Sequence, residues 1–239
     1  MRSSIHVFYI LLFCLPGLAY AQPGADALYR ERASAGRAEA AAALWEQQLH
    51  ADPADLDAAW KLARTMYWIG THGPAAGRRP ALERGVAAGK QAAALAPGRP
   101  EGHFWMAANM GMLAESFGLR QGLKYRGPIK DALETVLQID PAYQQGSADR
   151  ALGRWYFKVP GLFGGSNRRS LEHLQRSLTY NPDSTVSHYF LAETLLDMDR
   201  DAEARAELQK VLDAPLDPEW TPEDREFKEK ARALLVKIK

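Results

Sequence analysis

Four prolines frame this 239-residue chain: Pro53, Pro97, Pro141 and Pro182, spaced 44, 44 and 41 residues apart. Each closes a similar phrase, LHADP, AALAP, LQIDP and LTYNP. Eight residues before the proline stand Trp45, Gly89, Leu133 and Leu174; four before stand Leu49, Ala93, Leu137 and Leu178. Those two positions share one face of a helix, so each phrase is read as a helix end stopped by its proline. A recurring unit of this length implies a stacked helical array, in which each hairpin buries its apolar face against its neighbours. Such arrays present grooves to partners more often than they carry out chemistry.

Composition is that of an ordinary globular chain, 46% hydrophobic and 25% charged. The formal net charge of +1 gives no global attraction to nucleic acid. The first residues read as a targeting segment. Arg2 supplies the positive charge, Val7 to Leu15 an apolar run too short to span a bilayer, and Ala19-Tyr20-Ala21 the small residues of a cleavage site. Residues 1–21 are therefore expected to be a signal peptide and the mature protein to be periplasmic. Phe13 precedes Cys14 where a lipidation signal needs a small residue, so no lipid anchor is expected. Cleavage would remove Cys14, the single cysteine, and with it any disulfide, thiolate nucleophile or cysteine metal site.

The helical pattern divides the rest into pairs. Residues 22–53 hold a first pair, Ala25 to Ser34 and Arg37 to His50; residues 54–239 hold an array of four more with a capping helix. Its members are Asp57 to Ile69 with Leu82 to Leu95, Glu101 to Phe117 with Pro128 to Ile139, Ser147 to Lys158 with Ser166 to Tyr180, and Thr185 to Met198 with Asp201 to Leu212. The last helix, Pro222 to Ile238, is expected to start on Thr221 as N-cap, with Asp224 completing a loose capping box, and to cover the open end of the stack. No alternating β-rich run is present. The expected fold is all-α, a tetratricopeptide-like solenoid of helical hairpins with long loops inside the repeats.

Several runs carry a resemblance to the tetratricopeptide repeat: Trp60, Arg64 and Tyr67; Gly36, Ala41, Trp45 and Pro53; Leu152, Gly153 and Tyr156; Tyr189, Ala192 and Leu196. The period departs from the roughly 34 residues of that repeat. The added residues fall between paired helices, in IGTHGPAAGRRP (69–80), FGLRQGLKYRGPIK (117–130) and KVPGLFGGSNRR (158–169). With ALGRWYFKVP (151–160) and AANMG (107–111), they make the chain resemble the periplasmic accessory (T) component of TRAP transporters. Through the Leu-Gly-Arg-Trp run it is also similar to the regulators of microtubule dynamics. The resemblance implies a helical array with a central groove or pore that pairs with a ligand-binding protein.

Motifs for chemistry are missing from the sequence. It has no P-loop and no HExxH, and no two of its later histidines (His50, His72, His103, His173, His188) lie at i, i+4. No catalytic residue, metal site or cofactor is assigned. The glycines 161, 164 and 165 ahead of Arg168 and Arg169 could cradle an anion, but a turn capped by Ser166 or Asn167 is the favoured reading. His103 and His188 hold the same slot, six residues after a closing proline, and are read either as groove-lining groups or as helix-start residues facing solvent. Asn109, in mid-helix, either faces a ligand or bonds the backbone of the long 117–130 connection, and Glu115 carries the same ambiguity. Paired aromatics on one helix point about 100° apart, so one of each pair is free to line a concave face. Trp68, Trp105 and Trp155 are the candidates.

The three long connections carry Arg78, Arg79, Arg120, Lys124, Arg126, Lys130, Lys158, Arg168 and Arg169 with no acid. Turns between paired helices emerge on one edge of a stack, so these form a basic rim suited to an acidic protein partner or anionic headgroups. Residues 193–226 are the opposite, with twelve acids against four bases. The sequence therefore reads as a periplasmic, non-enzymatic scaffold that binds protein partners. The alternative is an accessory subunit of a TRAP-type transporter binding a small apolar ligand or a solute-binding protein.

Overall fold

The computed structural model describes residues 24–238; the expected signal peptide lies outside the described residues. The chain forms five antiparallel helix pairs and a final helix. They are α1 (Ala25–Arg30) with α2 (Arg37–Ala51), α3 (Leu56–His72) with α4 (Ala75–Leu95), α5 (Pro100–Ser116) with α6 (Leu119–Ile139), α7 (Tyr143–Lys158) with α8 (Asn167–Tyr180), α9 (Thr185–Leu196) with α10 (Asp201–Asp213), and α11 (Thr221–Leu235). A 3-10 turn, Gly161–Phe163, sits between α7 and α8. Each ladder proline stands two residues past the end of α2, α4, α6 or α8.

The array is tightly spaced where the sequence is poorest in side chains. A Cβ on Gly89 of α4 would meet the Met106 backbone nitrogen at 2.7 Å, and one on Gly102 of α5 would meet that of Ala93 at 2.3 Å. These two glycines let α4 and α5 pack backbone to backbone. One apolar core, with Trp45, Met66, Phe104, Leu133, Val136 and Leu152, runs from the first pair to α7. A second, around Leu174, Leu191, Leu208 and Val211, holds α8 to α11.

Two of the expected long loops are in fact helix. α4 begins at Ala75 and passes through Pro80, and α6 begins at Leu119 and passes through Pro128. Pro128, expected to start its helix, stands in the interior of one. An interior proline removes one hydrogen bond and costs about 3 kcal/mol, and packing of α4 against α3 and α5, and of α6 against α5 and α7, outweighs it here. The third connection does remain irregular at Val159–Ser166, where Ser166 accepts from Arg169 N as N-cap of α8.

The start of α7 is a left-handed turn, with φ of 45°, 58° and 75° at Gln144, Gln145 and Gly146. Two of these are not glycine, so the turn stores about 1–3 kcal/mol of strain per residue. Only a glycine fits the third position, since its Cβ would meet Tyr180 at 2.7 Å.

The array closes on itself. Arg32, in the turn between α1 and α2, donates to both carboxylate oxygens of Glu223 on α11, at 3.1 and 2.5 Å, and to the Glu219 carbonyl at 2.7 Å. Its guanidinium lies 5.0–5.8 Å from the rings of Tyr29, Trp68 and Trp220. Arg64 reaches Glu219 at 3.9 Å and His72 reaches Glu226 at 3.2 Å. Thus α11 does more than cap the last pair: it joins the end of the array to its beginning. Its expected capping box does not form. No side chain caps α11 at Trp220, and Asp224 instead accepts from Thr185 Oγ1 at 2.6 Å and Asp217 N at 2.8 Å.

Candidate functional site

Closure leaves a cavity of about 1150 Å³ at the centre of the ring, walled by first helices of successive pairs, by α6 through Leu119, Leu123, Arg126 and Ile129, and by α11. Helix α7 contributes Ser147, Arg150, Ala151, Arg154, Trp155 and Lys158, one face at i, i+3, i+4 spacing. Helix α5 contributes Phe104, Trp105, Ala108, Gly111, Met112 and Glu115; α3 contributes Tyr67, Trp68 and His72; α11 contributes Glu223, Glu226 and Phe227. The lining joins aromatic and aliphatic surface with charged side chains of both signs, among them Glu115, Arg126, Arg150, Arg154, Lys158 and Glu226. Exposed lining residues at both ends of α7, Gln145 at one and Lys158 at the other, bring the cavity to solvent.

Trp68, Trp105 and Trp155 all stand in this wall. Trp68 stacks on His72 at 3.6 Å, and Trp155 donates its indole N–H to the Arg126 carbonyl at 3.0 Å. The buried indole N–H of Trp105 has no partner among the described residues.

The other three candidates lie elsewhere. Asn109 is fully buried between α3, α4 and α5, and it donates not to the 117–130 connection but to the carbonyls of Ala63 (3.0 Å) and Trp105 (2.8 Å). His103 and His188 do share a slot, and its purpose is structural. Each ring Nε2 bonds the carbonyl of the proline six residues back, Pro97 at 3.0 Å and Pro182 at 2.7 Å. His188 also pairs with Glu207 through Nδ1 at 2.5 Å. These histidines tie each first helix to the end of the preceding pair and do not line the cavity.

The basic rim is partly neutralised by acids one turn along the same helices: Arg79 with Glu83, Lys130 with Glu134, and Arg168 with Glu172. Arg169 lies over Tyr156, Lys124 over Tyr125, and Lys158 over Phe157, while the Arg78 Nε is buried. Arg120, Lys124, Arg126 and Lys158 form no ion pair among the described residues. Beside them Leu119, Leu123 and Leu162 are exposed, and the first two also line the cavity.

Of the charged groups that line the cavity, sequence reasoning singled out Glu115, Arg126 and Lys158 and missed Arg150, Arg154, Glu223, Glu226 and Lys230. Arg154 is held by Glu115 at 3.1 Å and Glu193 at 2.5 Å. Glu226 is held by His72 and Lys230, which draw its carboxyl down to about 2. Burial raises the Glu223 carboxyl, against the pull of Arg32, and pushes the Tyr67 phenol up to about 12. Burial also lowers the Arg150 guanidinium to about 10, so it stays cationic at neutral pH. A visible signal existed: Arg150, Arg154 and Lys158 recur every four residues on a helix whose other face is apolar. No group of three or more His, Cys, Asp or Glu residues is placed to hold a metal among the described residues.

Comparison with known proteins agrees with this architecture. The family model for regulator of microtubule dynamics protein 1-3 matches residues 23–163, and that for the TRAP transporter T-component matches residues 102–239. The thermophilic tetratricopeptide protein TTC0263 of Thermus thermophilus superposes with a TM-score of 0.66 at 22% identity, covering 89% of this chain and 100% of that one. MamA superposes at 0.51 with 16% identity over 84% of this chain and 95% of that one; its form from Desulfovibrio magneticus RS-1 gives 0.52 over 80% and 94%. No curated protein sequence matches the chain. Each family model spans more than half of the molecule and the two overlap across α5 to α7, so the chain belongs to the tetratricopeptide-like family that the regulators of microtubule dynamics and the TRAP transporter T-components describe.

Proposed function

We propose that this protein is a periplasmic, non-enzymatic binding protein that holds a small, largely apolar ligand inside its ring and docks a protein partner at its basic rim. The observation that carries the reading is the large, aromatic-lined cavity, open to solvent at both ends of α7, for which folding alone gives no reason. The T-component match favours a more specific version, in which the partner is the solute-binding protein of a transporter and the rim orients it. The exposed Leu119, Leu123 and Leu162 beside Arg120, Lys124 and Arg126 support docking by apolar contact with a charged surround.

The cavity can be tested without damaging the fold. Gly111 lines it, and a Cβ there meets nothing within 4 Å. Gly111→Leu fills the lumen while improving helix propensity by about 0.5–1 kcal/mol. Wild-type protein is expected to bind the apolar fluorophore N-phenylnaphthylamine saturably, and Gly111→Leu to lose at least about tenfold in affinity. Equal binding by both proteins refutes the reading. For the rim, reversal of Arg120, Lys124 and Arg126 to Glu is expected to abolish binding of the cognate solute-binding protein at low salt. Unchanged binding removes the rim from the proposal.

A further inference from the structure

Where the basic rim borders the cavity mouth, it also carries apolar side chains that project into solvent. The first turns of α6 place Leu119 and Leu123 one turn apart, with Arg120 and Lys124 one turn apart beside them. Leu119 is 68% exposed and Leu123 42%. The turn between α7 and α8 lies alongside: the Arg126 guanidinium is 5.4 Å from the Phe163 ring, and the Trp155 indole holds the Arg126 carbonyl. Leu162, in that glycine-bounded turn, is 90% exposed. The two segments thus form one lip.

The charge of this lip has one sign. Residues 117–130 and 158–169 contain no acid. The nearby carboxylates are engaged elsewhere: Glu115 by Arg154, Glu134 by Lys130, and Glu172 by Arg168. Asp131, about two turns beyond Lys124, is the first acid along α6. A lone exposed leucine needs no explanation, but three on one lip among unpaired cations do. The buried centre of a protein interface is depleted of charge and seats its anchors in pockets. Here the leucines stand out from the surface and are interleaved with Arg and Lys. That mixture, a basic flank beside projecting leucines, is the composition of segments that lie in a bilayer interface. An anionic leaflet answers every cation at once and receives the leucines without a matching pocket.

We infer that this lip docks the protein on an anionic lipid surface, with Leu119, Leu123 and Leu162 entering the interfacial layer and Arg120, Lys124, Arg126 and Lys158 meeting lipid phosphates. The attachment is peripheral, since no helix among the described residues is long and apolar enough to cross a membrane. It does not depend on what the cavity holds. It shares the rim with the protein docking proposed above, so the two occupants exclude one another. Leu119, Leu123 and Phe163 also line the cavity, so its mouth on this side faces the bilayer.

The test is co-sedimentation with vesicles, using residues 22–239, the expected mature chain, which retains every described residue and omits the apolar run Val7 to Leu15. At low salt the protein is expected to bind vesicles of equal parts phosphatidylglycerol and phosphatidylcholine at least about tenfold more tightly than phosphatidylcholine alone. The double change Arg120→Gln, Lys124→Gln should weaken that binding at least about tenfold, and so should Leu119→Ser, Leu162→Ser. All four side chains are exposed, so both variants should keep the wild-type urea midpoint. Hydrogen exchange on vesicles should slow at 119–126 and 160–164. Failure of the wild type to bind the mixed vesicles overturns the inference. Undiminished binding by the leucine variant shows charge adsorption alone and overturns it as well. A solute-binding protein held through these residues by a chain that ignores vesicles assigns the lip to protein docking, overturns the inference and leaves the rim reading standing.

Discussion

Arg32→Met tests whether the ring is held shut by the Arg32–Glu223 pair. The arginine side chain is 3% exposed and Glu223 19% exposed, so the pair is screened little by solvent. Methionine keeps an apolar stem against Tyr29, Trp68 and Trp220 but removes three charge-assisted hydrogen bonds, two of them to a carboxylate. It also leaves Glu223 desolvated and alone. Breaking one side of a buried pair costs about 3–5 kcal/mol, and the residual exposure of Glu223 favours the lower end, about 3 kcal/mol. With a urea m-value near 3 kcal/mol per molar for a chain of this size, the unfolding midpoint should fall by about 1 M. Adding Glu223→Gln removes the stranded charge, so the double variant should recover about 2 kcal/mol relative to the sum of the two single effects. Hydrogen exchange should rise in α11 and in the α1–α2 turn before it rises elsewhere. A change of less than about 0.5 kcal/mol in Arg32→Met, or strict additivity with Glu223→Gln, would refute the argument.

Other expectations follow from the same geometry. Glu226 has a folded-state carboxyl drawn below its unfolded value, first by His72 and then by Lys230, so the stability it gives is present above about pH 4.5 and lost as pH falls toward 2. Its side chain is 39% exposed, so the contribution is about 1 kcal/mol; urea midpoints of wild type and Glu226→Gln at neutral pH and pH 3 should converge on acidification. Glu223 has the opposite sign. Its carboxyl is raised by burial, so the stability of protein carrying it falls as pH rises through its range, and Arg32→Met should steepen that fall. Gly85→Ala should destabilise by about 1–3 kcal/mol, because the new methyl would lie 2.1 Å from Asn109 Oδ1. In an Asn109→Ala background the same change should cost far less, measured as a double-mutant cycle in urea.

The hairpin architecture was legible because its signals are local. Each ladder proline marks a helix end two residues upstream, and the apolar residues eight and four positions before it set the buried face. Pro80 and Pro128 misled the same logic, since a proline inside a helix and one that starts it look alike until packing decides. The three tryptophans of the cavity wall could be chosen from helical angles alone. His103 and His188 could be matched to each other, but their carbonyl partners are not visible in the sequence. The closure of the ring could not be read at all, because Arg32 and Glu223 lie 191 residues apart.

An open array is coupled like a row of dominoes: each unit answers only to the two beside it. Arg32 turns this row into a hoop. Contacts between successive pairs join nearby stretches of chain and can form early, whereas the seam needs the whole circumference in place before its two ends meet. The seam is therefore the last joint to set and the first to part. Loosening it should quicken unfolding and leave the folding rate nearly untouched. It also gives the hoop a clasp: a cargo too large for the two open ends could enter while the seam is parted and be trapped when it sets.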